Sequence, residues 1–314
     1  MTKLLFLEPV FKERLWGGTK LRDTFGYEIP SERTGECWAI SAHPHGTSIV
    51  RNGPFSGTSL HRLWNEHPDL FGHPKEDAFP LLTKILDANM DLSVQVHPDD
   101  AYAHRHENGE LGKTECWYVL DCKKDAELIL GHRAQTREEF VRLIERNEWD
   151  HLLRRIPIKP GDFFYVPSGT LHALCEGTLV LEIQQSSDAT YRLYDYDRTD
   201  GNGNKRELHL QKAIDVTDIP HTDENVKSTK HQIGDALITI LAETPFFSVY
   251  QWDVSGKASF PAPGRYLLAS VMKGRGELDG CPIHKGDHFI VPADSGDFVI
   301  EGDCEVIVSH PSSS

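Results

Sequence analysis

The sequence predicts a mainly β fold made of two jelly-roll barrels of one type, with a small helical segment attached to the first. Three observations predict it. Most of the chain is cut into short alternating segments bounded by Gly, Pro, Asn or Asp, such as "LSVQVHP", "AELILG", "LVLEIQQ" and "CEVIVSH", the signature of a sandwich or barrel. One stretch occurs twice in degenerate form, "KPGDFFYVPSGTLHAL" from Lys159 and "HKGDHFIVPADSGDFVI" from His284. The chain has 314 residues, more than a single core usually supports.

The elements follow in order. "MTKLLFLEPVFKERLWGG" carries one early Lys and a short apolar run with Glu8 directly behind it, so it reads as a first strand and not as a signal peptide. "TSLHRLWNEHPDLFG" reads as a short helix capped by Thr58 or Ser59, and "PDDAYAHRHENG" as another, opened by Pro98 and its acidic first turn. The clearest helix lies in "TREEFVRLIERNEWDHLLRRI", where Thr136 and Glu139 form a capping box and Phe140, Leu143 and Ile144 share a face; we place a helical insertion near 136–155. The aperiodic polar stretch Asp218 to Asp235 reads as a linker, dividing the chain into domains 1–230 and 231–314. The terminal "PSSS" reads as a disordered tail.

Composition narrows the function. A net charge of −15 excludes general binding to nucleic acid or to an anionic membrane, and any anion site has to be built locally from a few Arg or Lys. No apolar run approaches the roughly 20 residues that span a bilayer. The six cysteines form no C-x-x-C pair and lie mostly in apolar strands, as free thiols of a cytoplasmic protein would.

Chemistry concentrates in three segments. In "DLSVQVHPDD" strand alternation puts Ser93, Gln95 and His97 on one face and Leu92, Val94 and Val96 on the other. In "GKTECWYVLD" Lys113, Glu115 and Trp117 share a face, and a carboxylate opening an apolar strand needs a partner, either Lys113 or a cation. His172 follows the Pro-Ser-Gly turn of the first repeat. Each has a bland alternative: a solvated edge strand, a salt bridge, a satisfied core histidine. Together, two imidazoles and a carboxylate from separate strands form a common catalytic metal set, to which Gln95 can add an amide oxygen. "HRHENGE", with His104, His106 and Glu110, looks more like a metal motif, but its context is polar and helical, where residues two apart diverge. His43 and His45 in "HPHG" are weaker still.

These residues resemble a known family. Gly161, Pro167, Gly169 and His172 match the second cupin motif, G-x5-P-x-G-x2-H, with Glu176 where Asn is usual. The first cupin motif is altered to Gln95-x-His97 with Glu115 further on, and "SVQVHPDD", "GKTECWYVLD" and "VPSGTLHALCEGTLVLEIQQSSDATYRLYDYDR" resemble the short bacterial form of type I mannose-6-phosphate isomerase. That resemblance implies one Zn²⁺ per chain on Gln95, His97, Glu115 and His172. It implies an active-site Arg192, ten residues past Glu182, a family lysine at Lys113, and phosphate contacts from Ser93 and Arg198. Here Arg198 stands, among acidic neighbours, where the long forms carry a lysine.

The implied reaction converts mannose 6-phosphate to fructose 6-phosphate through a cis-enediolate, with Lys113 or Glu182 as the base and Arg192 balancing phosphate or enediolate charge. A lysine beside a dication should have a lowered pKa. The partner would be a small phosphorylated sugar, and the chain a monomer or weak homo-oligomer. Two other classes share the ligand set: an Fe(II) cupin dioxygenase, against which Gln95 counts as a fourth ligand, and a non-catalytic sugar-phosphate-binding cupin. The second repeat has lost its histidine, whose place is Phe298 or has no counterpart, so the first barrel is expected to hold the site.

Overall fold

A computed structural model of the chain describes residues 4–200, 203–224 and 226–312. The described residues are mainly β, in three principal sheets. The first is six-stranded, in the order Phe163–Val166, Glu115–Cys122, Thr178–Gln185, Leu81–Ala88, Thr34–Ile40, Val10–Gly18. The second is five-stranded, in the order Leu153–Pro157, Glu127–His132, His172–Leu174, Val94–Val96, Tyr191–Tyr194. Leu86, Trp117, Val119 and Val180 of the first sheet and Leu128, Leu130 and Leu174 of the second share one core cluster.

The third sheet is nine-stranded. Its main run is Thr229–Ile233, Ala236–Glu243, Phe247–Phe260, Phe298–Pro311, Leu267–Leu278, His288–Val291, and it repeats the strand order of the first sheet, read from Val10–Gly18 back to Phe163–Val166, position for position. The sheets are jelly-roll-like, with no barrel closed by hydrogen bonds among the described residues. The repeat extends to single bonds. Gly161 and Gly286 both turn at φ +89°, a conformation glycine reaches without a Cβ penalty. Asp162 accepts from the Lys159 backbone N–H at 2.9 Å, and Asp287 from that of His284 at 2.7 Å. Val119 N donates to Asp162 O as Val271 N donates to Asp287 O, each at 2.9 Å.

The expected helices form. Ser59 caps Leu60–Glu66, Asp99 caps Asp100–His106, and Thr136 caps Arg137–Glu145 through the Glu139 N–H. Two short helices among the described residues were not foreseen, Lys20–Phe25 and Leu210–Val216, while Trp149–Leu152 falls inside the helical insertion expected near 136–155. The polar stretch Asp218 to Asp235 is a linker only in part, because Thr229–Ile233 is the outermost strand of the third sheet; its exposure on both faces explains why it showed no alternation. The opening segment forms two strands. Leu5–Glu8 joins the third sheet beside His288–Val291, and Val10–Gly18 starts the first. All six cysteines are free, and no helix among the described residues is long and apolar enough to cross a membrane.

Candidate metal centre

The metal-ligand candidates are assembled by the turn after Val166. Gly169, at φ +84°, donates its N–H to the His97 carbonyl at 2.9 Å, and Ser168 N–H donates to the Thr114 hydroxyl at 3.2 Å. A Cβ at Gly169 would run into the Asp218 carboxylate, so only glycine fits there. The turn therefore stitches together the segments that carry His97, Glu115 and His172. Directly across the second sheet, His172 pairs with Gln95 and Gln95 with Arg192, which sets these three side chains in a row.

His97, Glu115 and His172 are buried, with one ligand atom from each lying within 4.8 Å of the others. The His97 Nδ1–H donates to Ala189 O at 2.8 Å and the His172 Nδ1–H to Thr170 O at 2.9 Å. A carbonyl can only accept, so both Nε2 atoms are left as lone pairs. They point at the same carboxylate, 3.5 Å and 3.3 Å from Glu115 oxygens. Burial pushes the His97 imidazole down to about 3, with Lys113 adding to the effect, and depresses His172 for the same reasons. Burial alone would raise Glu115, but Lys113 and the two histidines hold it well below the usual carboxylate range. Two neutral imidazoles whose Nε2 lone pairs converge, buried, on one carboxylate form a set that a dication fits. Gln95 sits alongside, its amide 3.4 Å from His172 Nε2.

Lys113 Nζ lies 2.6 Å from Glu115 and 3.0 Å from His97. Without an ion beside it, burial would lower the Lys113 pKa, but the Glu115 and Glu182 carboxylates outweigh that and hold it above the ordinary lysine value; the lowering expected from the sequence belongs to the ion-loaded site. Lys113 and Gln95 also line a cavity of about 420 Å³ between the two sheets, so the cluster and the cavity are joined.

Ser93, Glu182 and Arg192 line that cavity as well. Glu182 is buried, accepts from Trp117 Nε1 at 2.9 Å, and stands 3.6 Å from Lys84 Nζ. Burial, reinforced by Glu115, raises its pKa against the pull of Lys113 and Lys84. Arg192 is held from behind, its Nη1 donating to Glu207 O at 2.8 Å and its backbone N–H to His209 Nδ1 at 3.1 Å. Arg198 is not among the lining residues. Its Nε donates to Asp195 at 2.9 Å and its Nη1 to the Asp91 carbonyl. Arg206, gripped by the same Asp195, does line the cavity, as do Arg14, Glu36 and Lys84. Sequence reasoning missed these four. A signal existed for Lys84, a charge in the middle of the apolar strand "LLTKILDA", where an unpaired ammonium would be costly. His104, His106 and Glu110 are exposed and belong to no metal-binding group among the described residues.

The chain is similar to known proteins over its full length. Residues 4–120 match the family described as phosphomannose isomerase type I, catalytic domain, and residues 237–311 match mannose-6-phosphate isomerase, cupin domain. A probable mannose-6-phosphate isomerase of Bacillus subtilis is 62% identical over 99% of this chain and 100% of its own length. The mannose-6-phosphate isomerase of Streptococcus mutans serotype c is 51% identical over 99% of both chains. The crystal structure of a mannose 6-phosphate isomerase from Bacillus subtilis superimposes with a TM-score of 0.96 at 56% identity, covering 98% of this chain and 100% of that one.

Proposed function

The chain belongs to the type I phosphomannose isomerase family, and we propose that it interconverts mannose 6-phosphate and fructose 6-phosphate through a cis-enediolate in the cavity between its first two sheets. The observation that carries this reading is the junction of that cavity with the His97–Glu115–His172 cluster through Gln95 and Lys113. Those four candidate ligands, Gln95, His97, Glu115 and His172, would hold Zn²⁺, which when bound supplies Lewis-acid stabilisation of negative charge on oxygen without redox chemistry.

The remaining steps belong to the chain. Glu182 is the carboxylate that carries the proton between the second and first carbons. It faces the cavity, it is buried, and its oxygens are only loosely held, by Trp117 and Lys84. Lys113 stays an ammonium beside Glu115 and donates toward the substrate oxygens. Arg192 and Arg206 line the cavity, and the guanidinium donors they do not spend on Glu207 O and Asp195 are suited to phosphate, with Ser93 also lining it. We give Arg206 the contact the sequence assigned to Arg198, and Arg198 the task of bracing Asp195 behind it.

We further take residues 1–230 as the catalytic domain and 231–314 as a degenerate partner, with the first strand contributed across to its sheet, and the enzyme as a cytoplasmic monomer or weak homo-oligomer. The test is metal analysis of the purified chain with a coupled assay for fructose 6-phosphate. Stoichiometric zinc and oxygen-independent turnover are expected. Full zinc loading without turnover would overturn the isomerase reading, and oxygen consumption would favour a dioxygenase.

A further inference from the structure

The third sheet borders an open cavity of its own, of about 500 Å³. Strand register shows where it stands. Leu267 pairs beside Val291 as Glu115 pairs beside Val166. Phe260 pairs with Phe298 as Gln95 pairs with His172, and Val308 with Tyr250 as Glu182 pairs with Lys84. Two residues past Phe260, Ala262 takes the place of His97. Phe260, Ala262, Leu267 and Phe298 therefore occupy the four candidate ligand positions of the first half, and all four line the second cavity. The space has lost every metal ligand and has still not been filled. Side chains in a domain kept only for packing close up to crystal-like density, yet these positions border an open cleft comparable in size to the first cavity.

Its lining is divided. The rings of Trp252, Phe260 and Phe298 stack in parallel, with centroids 4.5 Å and 5.3 Å apart and planes within 16° and 10°, and form an apolar wall. At the other end Tyr250 Oη lies 3.4 Å from His310 Nε2, and Arg265 Nη1 lies 3.3 Å from His310 Nδ1. Glu243 and Arg265 are both exposed at the mouth. One carboxylate and one guanidinium offset each other, so an ion of either sign meets a like charge. A neutral ligand with hydroxyls along one edge and an apolar face can use the donors, the acceptors and the rings together.

We propose that this second cavity is a binding site for a neutral hexopyranoside, separate from the catalytic cavity. Calorimetric titration of the full chain with methyl hexopyranosides should give saturable millimolar binding that persists with the catalytic cavity saturated by mannose 6-phosphate. Arg265→Ala and Tyr250→Phe, both at the polar end and outside the packed ring stack, should each weaken it by about tenfold, with isomerase kinetics unchanged. The proposal is overturned by absence of saturation up to about 100 mM, by competition from mannose 6-phosphate, or by binding that neither variant affects. Preferential binding of a hexose phosphate at this cavity would overturn the assignment of a neutral ligand.

Discussion

Two halves of one chain share a sheet topology and a corner turn, yet one half gathers buried charge at the candidate ligand positions and the other carries apolar residues there. In the first half the row of Glu36, Lys84 and Glu182 crosses the sheet toward Glu115, and each charge is answered: Glu36 by Arg14 and Trp38 Nε1, Lys84 by Glu182, Glu115 by Lys113. In the second half the same register carries Ile238, Tyr250, Val308 and Leu267. The corner itself is unchanged, with its Gly at φ +89° and its Asp accepting a backbone N–H. What differs is the stretch after the proline: His172 follows Pro167 by five residues, and Phe298 follows Pro292 by six. The turn geometry therefore belongs to the fold, while the ligand set is separable cargo that the fold retains only where a network satisfies it. Such a cluster is a poor source of stability, because desolvation of buried charges offsets their attraction. Its presence in one half alone points to function.

That contrast can be broken from either side, and the largest effect lies on the catalytic side. His172→Ala should strip the chain of bound zinc, measured by atomic emission, and lower kcat/KM by more than about 10³-fold, with circular dichroism near wild type. Wild-type activity with zinc retained would show that the cluster is not the metal centre. Glu182→Gln should keep zinc and substrate affinity but lower kcat by about 10²–10⁴-fold. Because the Glu182 pKa is raised, wild-type kcat should fall as pH drops through it, and this acid limb should vanish in the variant's residual rate. An unchanged acid limb would pass the base role to another group. On the other side, Leu267→Glu places a carboxylate where Glu115 stands in the first half but without a lysine beside it. A loss of about 3–5 kcal/mol in urea unfolding is expected, with no zinc gained. A second bound zinc would mean that the two halves differ by one residue only.

How legible this was differed between the halves for physical reasons. Strand density, the repeat and the capped helices were readable because alternation and caps are local. The convergence of His97, Glu115 and His172 was readable because each is a polar group that needs a partner in or beside an apolar strand, while the four-ligand set with Gln95 followed from the family resemblance. Arg206 was not, because it is recruited through Asp195 from a loop whose path no local pattern gives. The chosen Arg198 is three residues from that same Asp195 and spends its donors on it and on Asp91. Nor was the edge strand Thr229–Ile233 readable, since exposure on both faces removes alternation. The second cavity stayed hidden because its residues read as ordinary core until the ladder register places them opposite one another.

The smallest effect concerns acid stability and the second half alone. His288 is buried and neutral, its Nδ1 2.8 Å from Ser270 Oγ and its Nε2 2.8 Å from Tyr27 Oη. Burial lowers its pKa to about 4 from 6.5; Asp287 opposes the shift and Arg51 adds to it. The unfolded chain therefore binds a proton between those two values that the folded chain does not, and stability is lost as pH falls through that window. His288→Gln keeps hydrogen-bonding capacity but cannot titrate. Urea midpoints measured across that window should fall less steeply with acid in the variant than in the wild type, while the isomerase activity at neutral pH stays the same. An identical acid slope in both would move the sensitivity to other buried titratable groups, such as Glu305 of the third sheet or the carboxylates and imidazoles of the metal cluster.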